Sequence, residues 1–444
     1  MAGEHMQSTV LIESHNRTLA TGTGIATFAR HLTEVVRQLG FRASGLVEAP
    51  PNGLSSVNPK LREILYYDAE FPGRPSLRER AIRGYYAAVG APGGIVAQLA
   101  PRPTFVMAKH PLPDDLDEIY AAPRLFYRAH HHFLRYHALA RVKVEARPDI
   151  FHATHVTPLR VAGCANIVTI HDLVPLRLPY STLDDKTMMF NLLTKLCKEA
   201  DHIVTVSEFS RRDIISMFGV SEDRITNTYQ SVSYPDSYKD ADEEAVNAEI
   251  GPSFQLEWKE YFLFLGAIEP KKNIKLLIEA YAASGVQTPL ILVGGPGWLC
   301  DEELEMIHSE RFLSYRVIGS RIIPERRVRR LPYVHPRTLA ALIRGAKAVL
   351  FPSLYEGFGL PVVEAMALGT AVMTSNAACL PEVAGGAALL VDPSDRDSIK
   401  RGILALDSDS DLRADLVSRG RVRAQFFSQA NYAERVSSVY AQVL

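Results

Sequence analysis

Two glutamates, Glu356 and Glu364, stand eight positions apart in Pro-Ser-Leu-Tyr-Glu-Gly-Phe-Gly-Leu-Pro-Val-Val-Glu-Ala-Met-Ala-Leu-Gly, residues 352–369. Carboxylates so placed can act as acid and nucleophile on a glycoside. They can instead accept hydrogen bonds from vicinal hydroxyls of a hexose or ribose, or merely favour a helix start. Gly357 and Gly359 would let backbone N–H groups approach a ligand, and a helix N-terminus behind them would favour its oxygens. Lys271 and Lys272 follow Gly-Ala-Ile-Glu-Pro at a predicted strand-to-helix turn. Two lysines oppose the dipole of a helix start, and a bound diphosphate would account for them.

Thr-Gly-Thr-Gly, residues 21–24, puts Gly22 and Gly24 in a loop that opens a helix. Thr27 stands where a dinucleotide fingerprint needs its third glycine, so the loop reads only as an anion site. His171 ends an apolar run and precedes Asp172; a histidine there is most often structural. Two further runs imitate metal sites. Asp407–Asp411 contains a D-x-D pattern but precedes an amphipathic helix and reads as a polar cap. His130, His131 and His132 are consecutive in a predicted helix and cannot converge on one ion. No metal is expected.

The elements that must hold these residues alternate between short apolar runs and amphipathic helices, the pattern of parallel α/β units. Ser8–Ser14, Asp149–Thr154, Asn166–Asp172 and His202–Ser207 read as strands, and Ile25–Gly40 and Glu208–Gly219 as helices. Residues 234–258 are polar and rich in turn formers, as a linker with one short helix would be. A second set of strands and helices follows. Lys347–Ser353 reads as a strand, so Glu356 lies on the loop at its carboxyl end, where open sheets bind ligands. Pro361 suits the first position of the next helix, Glu364 falls about one turn inside it, and Gly369 stops it. Residues 50–147 interrupt the rhythm with basic, aromatic stretches. They read either as a substrate-recognition surface or as a solvated helical excursion.

With 444 residues, 47% hydrophobic and a net charge of −1, the chain is expected to be soluble and multidomain, with no general affinity for nucleic acid. Cys164, Cys197, Cys300 and Cys379 show no C-x-x-C spacing, which points to free thiols in a reducing, cytoplasmic compartment. No apolar run reaches the ~20 residues of a membrane span, and no basic-then-apolar leader opens the chain.

The stretch 352–369 resembles the E-x7-E signature of the retaining, nucleotide-sugar-dependent group 1 glycosyltransferases. Thr21–Leu32, Ile167–Pro179, Val206–Ile214 and Tyr261–Tyr281 resemble other parts of that family in the same order, and residues 50–147 resemble none. The resemblance implies a GT-B fold: two Rossmann-like domains, 7–235 and 236–427, facing across a cleft, with residues 428–444 as a helix crossing back to the first. It implies that Glu356 contacts the transferred sugar and Glu364 the ribose of the nucleotide. Backbone N–H groups of Gly357, Phe358, Gly359 and Leu360 would face sugar and phosphates. Gly24 would adjoin the diphosphate, Lys272 would stabilise the leaving group with Lys271 as a lesser candidate, and His171 would donate to a sugar hydroxyl. Ala267 stands where much of the family has arginine.

The expected activity is retaining transfer of a hexose, with GDP-mannose the first donor guess, to a glycan or lipid-linked saccharide in surface polysaccharide or glycolipid synthesis. The nucleotide sugar would be a co-substrate, with no resident cofactor. The expected setting is the cytoplasm, with peripheral contact at the inner face of the membrane. A glycoside hydrolase using the paired carboxylates and a non-catalytic nucleotide-sugar-binding subunit stand as alternatives.

Overall fold

The computed structural model describes residues 7–18, 24–68, 77–108, 112–318, 321–331 and 334–444. Among the described residues the first half of the chain folds into one sheet of ten strands. These are β1 (Thr9–Glu13), β2 (Arg42–Ala49), β3 (Ile95–Leu99), β4 (Glu118–Pro123), β5 (Ala140–Val144), β6 (Ile150–Ala153), β7 (Leu159–Val161), β8 (Ala165–Thr169), β9 (His202–Thr205) and β10 (Ile225–Asn227). Their order is β10-β9-β8-β6-β1-β2-β4-β3-β5-β7, and only β3 runs antiparallel to its neighbour β4. The helix Gly24–Gln38 buries Phe28, Leu32, Val35 and Val36 against one face, and Gly40 ends it with a left-handed backbone.

The second lobe begins with β11 (Phe262–Leu265), β12 (Leu290–Val293), an antiparallel hairpin of β13 (Leu313–Ile318) and β14 (Arg321–Arg326), and β15 (Val328–Leu331). Then come β16 (Ala348–Phe351), β17 (Ala371–Ser375) and β18 (Leu389–Val391). The hairpin stands apart, and the other six strands form a parallel sheet in the order β15-β12-β11-β16-β17-β18. The four inner strands, β12, β11, β16 and β17, are buried at every position, as parallel strands under helices must be, while the edge strands β15 and β18 are partly exposed. The last helix, Gln429–Val443, returns to the first lobe. There Tyr440 Oη meets His152 Nδ1 at 2.9 Å, and the Tyr432 ring lies 6.3 Å from that of Phe28.

Three sequence expectations need correcting. Residues 50–147 are not an excursion: they add β3, β4 and β5 to the sheet. Their two basic helices, Leu77–Val89 and Leu125–Tyr136, pack on each other. Arg83 pairs with Glu79 at 3.0 Å and lies over the Tyr127 ring, Arg128 lies over Tyr86, and Arg124 pairs with Glu79, so several of these cations hold the helices together. The supposed linker 234–258 holds two helices, Asp236–Lys239 and Glu243–Phe254, and the second buries Val246 and Ile250 in the second lobe's core. Pro361 is the second residue of its helix, Leu360–Ala367, with Gly359 as the cap.

Two crossings join the lobes and lie side by side. Val232 N donates to Phe427 O at 3.0 Å, and Tyr229, Phe426 and Phe427 stack edge to face. Across the cleft, Trp298 Nε1 donates to Ser181 O at 2.7 Å and Tyr355 Oη to Asp213 at 2.6 Å. Glu382 of the second lobe accepts from the N–H groups of Glu208 and Phe209, capping a first-lobe helix, Glu208–Phe218. No helix among the described residues is long and apolar enough to cross a membrane.

Candidate active site

The strongest charge arrangement joins two loops at the carboxyl edge of the second sheet. After β11 the chain enters a single 3-10 turn, Pro270–Lys272, and Asn273 leaves it with φ 61° to start the helix Ile274–Ser284. Asn273 Nδ2 fixes this turn to the carbonyls of Pro352 and Pro393 at 3.1 and 2.8 Å. The turn thus sits against the loop after β16. Lys272 Nζ donates to Glu356 Oε1 at 2.6 Å, and Lys271 Nζ lies 3.9 Å from Oε2. Burial opposes ionisation of Glu356, but Lys272 and Lys271 outweigh it and hold the carboxyl below its usual range. Burial likewise opposes charge on Lys271, and Glu356, Asp172 and Glu269 together raise it above the ordinary lysine value.

Glu364 contrasts with this. It is partly buried and meets no hydrogen-bond donor among the described residues. Burial pushes its carboxyl up to about 7. A carboxyl so placed gains from a ligand that brings hydroxyl donors.

Gly357 must be glycine, because a Cβ there would come within 2.3 Å of His171 O on the other lobe. Gly359 has φ +89°, and its Cβ would meet Leu380 Cδ2 at 2.6 Å. No acceptor among the described residues meets the N–H groups of Gly357, Phe358, Gly359 or Leu360. The Phe358 ring points away from them and packs 5.3 Å from Phe427 at the lobe crossing. Gly24 lies across the cleft, 4.0 Å from Leu360 Cδ1 as measured from its ideal Cβ position. Gly22 and the rest of its loop before Gly24 lie outside the described residues.

His171 follows β8 at the carboxyl edge of the first sheet. Its Nε2 donates to Thr154 O at 2.8 Å, which leaves Nδ1 as the lone-pair nitrogen of the neutral ring. Burial lowers its affinity for a proton. Phe28 sits edge-on, 4.9 Å away. The tautomer bears on the expected role: Nδ1 of the neutral ring can accept a hydrogen bond and cannot donate one.

The decoys have structural partners. Asp407 ends the helix Arg396–Ser408, takes a hydrogen bond from Thr288 Oγ1 at 2.6 Å and pairs with Lys347 at 3.0 Å. Asp409 caps the following helix at Leu412 N. His132 accepts from Ala91 N, while His131 faces Tyr127. No group of His, Cys, Asp and Glu among the described residues is arranged to hold a metal ion.

Residues 93–232 match the family model Glycosyltransferase Family 4, and residues 249–423 match Glycosyl transferases group 1. Over 279 residues the chain is 36% identical to O-antigen chain mannosyltransferase B of Escherichia coli, covering 62% of this chain and 69% of that protein. The chain belongs to the group 1 glycosyltransferases. This glycosyltransferase is also 29% identical over 284 residues to the serotype-specific mannosyltransferase WbdA of E. coli, spanning 33% of that longer protein. Its fold is that of sucrose-phosphate synthase from Thermosynechococcus elongatus (TM-score 0.64, 18% identity, 98% of each chain). It is also that of Anabaena HepE in complex with UDP-glucose (TM-score 0.64, 14% identity, 98% of this chain and 99% of that one). The match from residue 93 brings much of the stretch thought foreign to the family inside it.

Sequence reasoning missed several residues that this glycosyltransferase places at the cleft: Glu13, His15, His155, Trp298 and Glu382. Glu13 and His155 each end a short apolar run, which was the available signal. The pairing between them is long-range and left no trace in spacing.

Proposed function

We propose that the protein transfers mannose, with retention of configuration, from GDP-mannose to a saccharide hydroxyl in the assembly of a bacterial surface polysaccharide or glycolipid. The observation that carries this reading is the ionised, buried Glu356 clamped by Lys272 and Lys271 beside unpaired N–H groups. The mannosyltransferase relatives supply the sugar. In this reading Lys272, Lys271 and Gly24 meet the diphosphate, Glu356 and the Gly357–Leu360 amides hold the sugar, and Glu364 takes the ribose hydroxyls. His171 Nδ1 accepts from a sugar hydroxyl. As the bond from the sugar's anomeric carbon to the phosphate oxygen breaks, the acceptor oxygen bonds that carbon on the same face. The acceptor proton passes to the departing diphosphate, so no protein base is consumed. The two lysines and the amides neutralise the diphosphate without a metal ion.

A Glu356 already paired with two cations is poorly suited to be a glycosidase nucleophile, which disfavours hydrolysis. The four free cysteines suit a reducing compartment. The test is product formation from a panel of nucleotide sugars with methyl α-mannoside as acceptor, run with and without exhaustive EDTA. GDP-mannose should give an α-linked product at an undiminished rate in EDTA. A β-linked product, or activity lost to EDTA and restored by Mn²⁺, would overturn the corresponding part.

A further inference from the structure

Beside His171 lies a second polar centre that the transfer chemistry leaves unused. Glu13 is the last residue of β1 and is fully buried. Its Oε1 accepts from His15 N at 2.7 Å; its Oε2 accepts from His155 Nδ1 at 2.8 Å and from Thr154 Oγ1. Burial works against its charge, yet the hydrogen bonds and charge of its neighbours keep its carboxyl below the usual value. An ionised carboxylate can only accept, so Nδ1 of His155 holds its proton toward Glu13 and Nε2 is the nitrogen left to meet a ligand. That nitrogen has no partner among the described residues, and the side chain is 25% exposed. His15 Nδ1, next along the chain from Glu13's neighbour Ser14, is buried and also unpartnered among the described residues.

The position of this pair says what it faces. Strands β8, β6 and β1 are adjacent, so His171, His155 and Glu13 follow in a row along one carboxyl edge. Thr154 ties them together, giving its carbonyl to His171 and its hydroxyl to Glu13. The donor loop touches the row at its near end, where Gly357 abuts His171 O. His155 follows β6, one strand along that edge from His171. We propose that His155 Nε2 is the hydrogen-bond partner of a hydroxyl of the incoming saccharide, and that Glu13 is the positioning residue that fixes the ring. The assignment rests on the transferase reading above.

The experiment uses the full chain with GDP-mannose as donor and methyl α-mannoside or its α-linked disaccharide as acceptor. Transfer to the saccharide and slow transfer to water are measured side by side. His155→Ala should raise the acceptor KM roughly tenfold, the cost of one good hydrogen bond. It should leave donor Kd and donor hydrolysis within about twofold. Glu13→Gln should reproduce much of the KM effect, and the double variant should be no worse than His155→Ala alone, because Glu13 acts through the ring. If Glu13→Gln fails to fold, the variant at the partly exposed His155 still decides the matter. An unchanged acceptor KM in His155→Ala, or donor hydrolysis falling in step with transfer, overturns this assignment alone. A wild-type protein that neither transfers nor hydrolyses any nucleotide sugar overturns the transferase reading, and this assignment with it.

Discussion

The carboxyl edges of the two sheets face the same cleft but are built from different chemistry. The second lobe's edge presents two lysines, a buried carboxylate between them and a run of open N–H groups. The first lobe's edge presents His171, His155 and a carboxylate that orients one of them. One edge concentrates charge; the other presents ring nitrogens held in place by hydrogen bonds. On the proposed reading the difference is a division of labour, with charge meeting the donor's phosphates on one side and directed hydrogen bonds meeting the acceptor on the other.

The comparison breaks most visibly at Lys272. Lys272→Ala should cut transfer about 10²–10³-fold, the usual loss for one preorganised charge contact. It should also destabilise the fold by ~3–5 kcal/mol, because Glu356 is left buried with only the more distant Lys271. Lys272→Ala combined with Glu356→Gln should recover most of that stability and none of the activity. Denaturant unfolding beside steady-state kinetics separates the two effects, and a single variant with over half of wild-type turnover would refute the assignment.

Glu364 gives a smaller effect with a pH signature. Its carboxyl is raised in the folded state from 4.5 to about 7. A raised carboxyl imposes a penalty that is absent below the unfolded value, grows as pH rises through the interval and is complete above about 7. Removing it should therefore stabilise the ligand-free protein by up to roughly 3 kcal/mol at pH 8 and by little at pH 5. Glu364→Gln should melt higher than wild type at pH 8, converge with it at pH 5 and bind GDP more weakly. Equal melting temperatures at pH 8 would show that the carboxylate already has a partner.

The smallest change is expected away from both edges. Arg78→Glu with Arg80→Glu, on the helix Leu77–Val89, should leave donor affinity unchanged and raise the acceptor KM at most a few-fold. The neighbouring Arg83 and Arg124 are engaged in packing that helix against the next. A loss of donor binding would place this helix in the wrong half of the comparison.

How much was legible follows the same line. The second lobe's site was written in adjacent residues: Gly357, Gly359, Pro361 and Glu364 lie within one loop and helix, so local stereochemistry dictated their geometry. The strand before it, residues 347–353, was an apolar run of ordinary length and was found, whereas the hairpin β13–β14 and the edge strand β15 were not. Residues 50–147 misled because β3, β4 and β5 are short and lie among basic helices whose arginines take tertiary partners such as Tyr127 and Tyr86. The Glu13–His155 pair spans 142 positions and depends on β1 lying beside β6, which no local pattern encodes. The tautomer of His171 was equally hidden, since it is set by the carbonyl of Thr154.

The returning helix Gln429–Val443 has a consequence for how the protein is made. His152, at the centre of the first sheet, completes its hydrogen bonds only with Tyr440, and Phe28 completes its aromatic packing only with Tyr432. On a ribosome these partners emerge after the entire second lobe. The first lobe therefore waits, unfinished, while the rest is synthesised, and a nascent chain stopped anywhere before residue 429 leaves apolar surface for chaperones and proteases to find. Completion of the chain thus supplies the last partners of a sheet whose strands are made first.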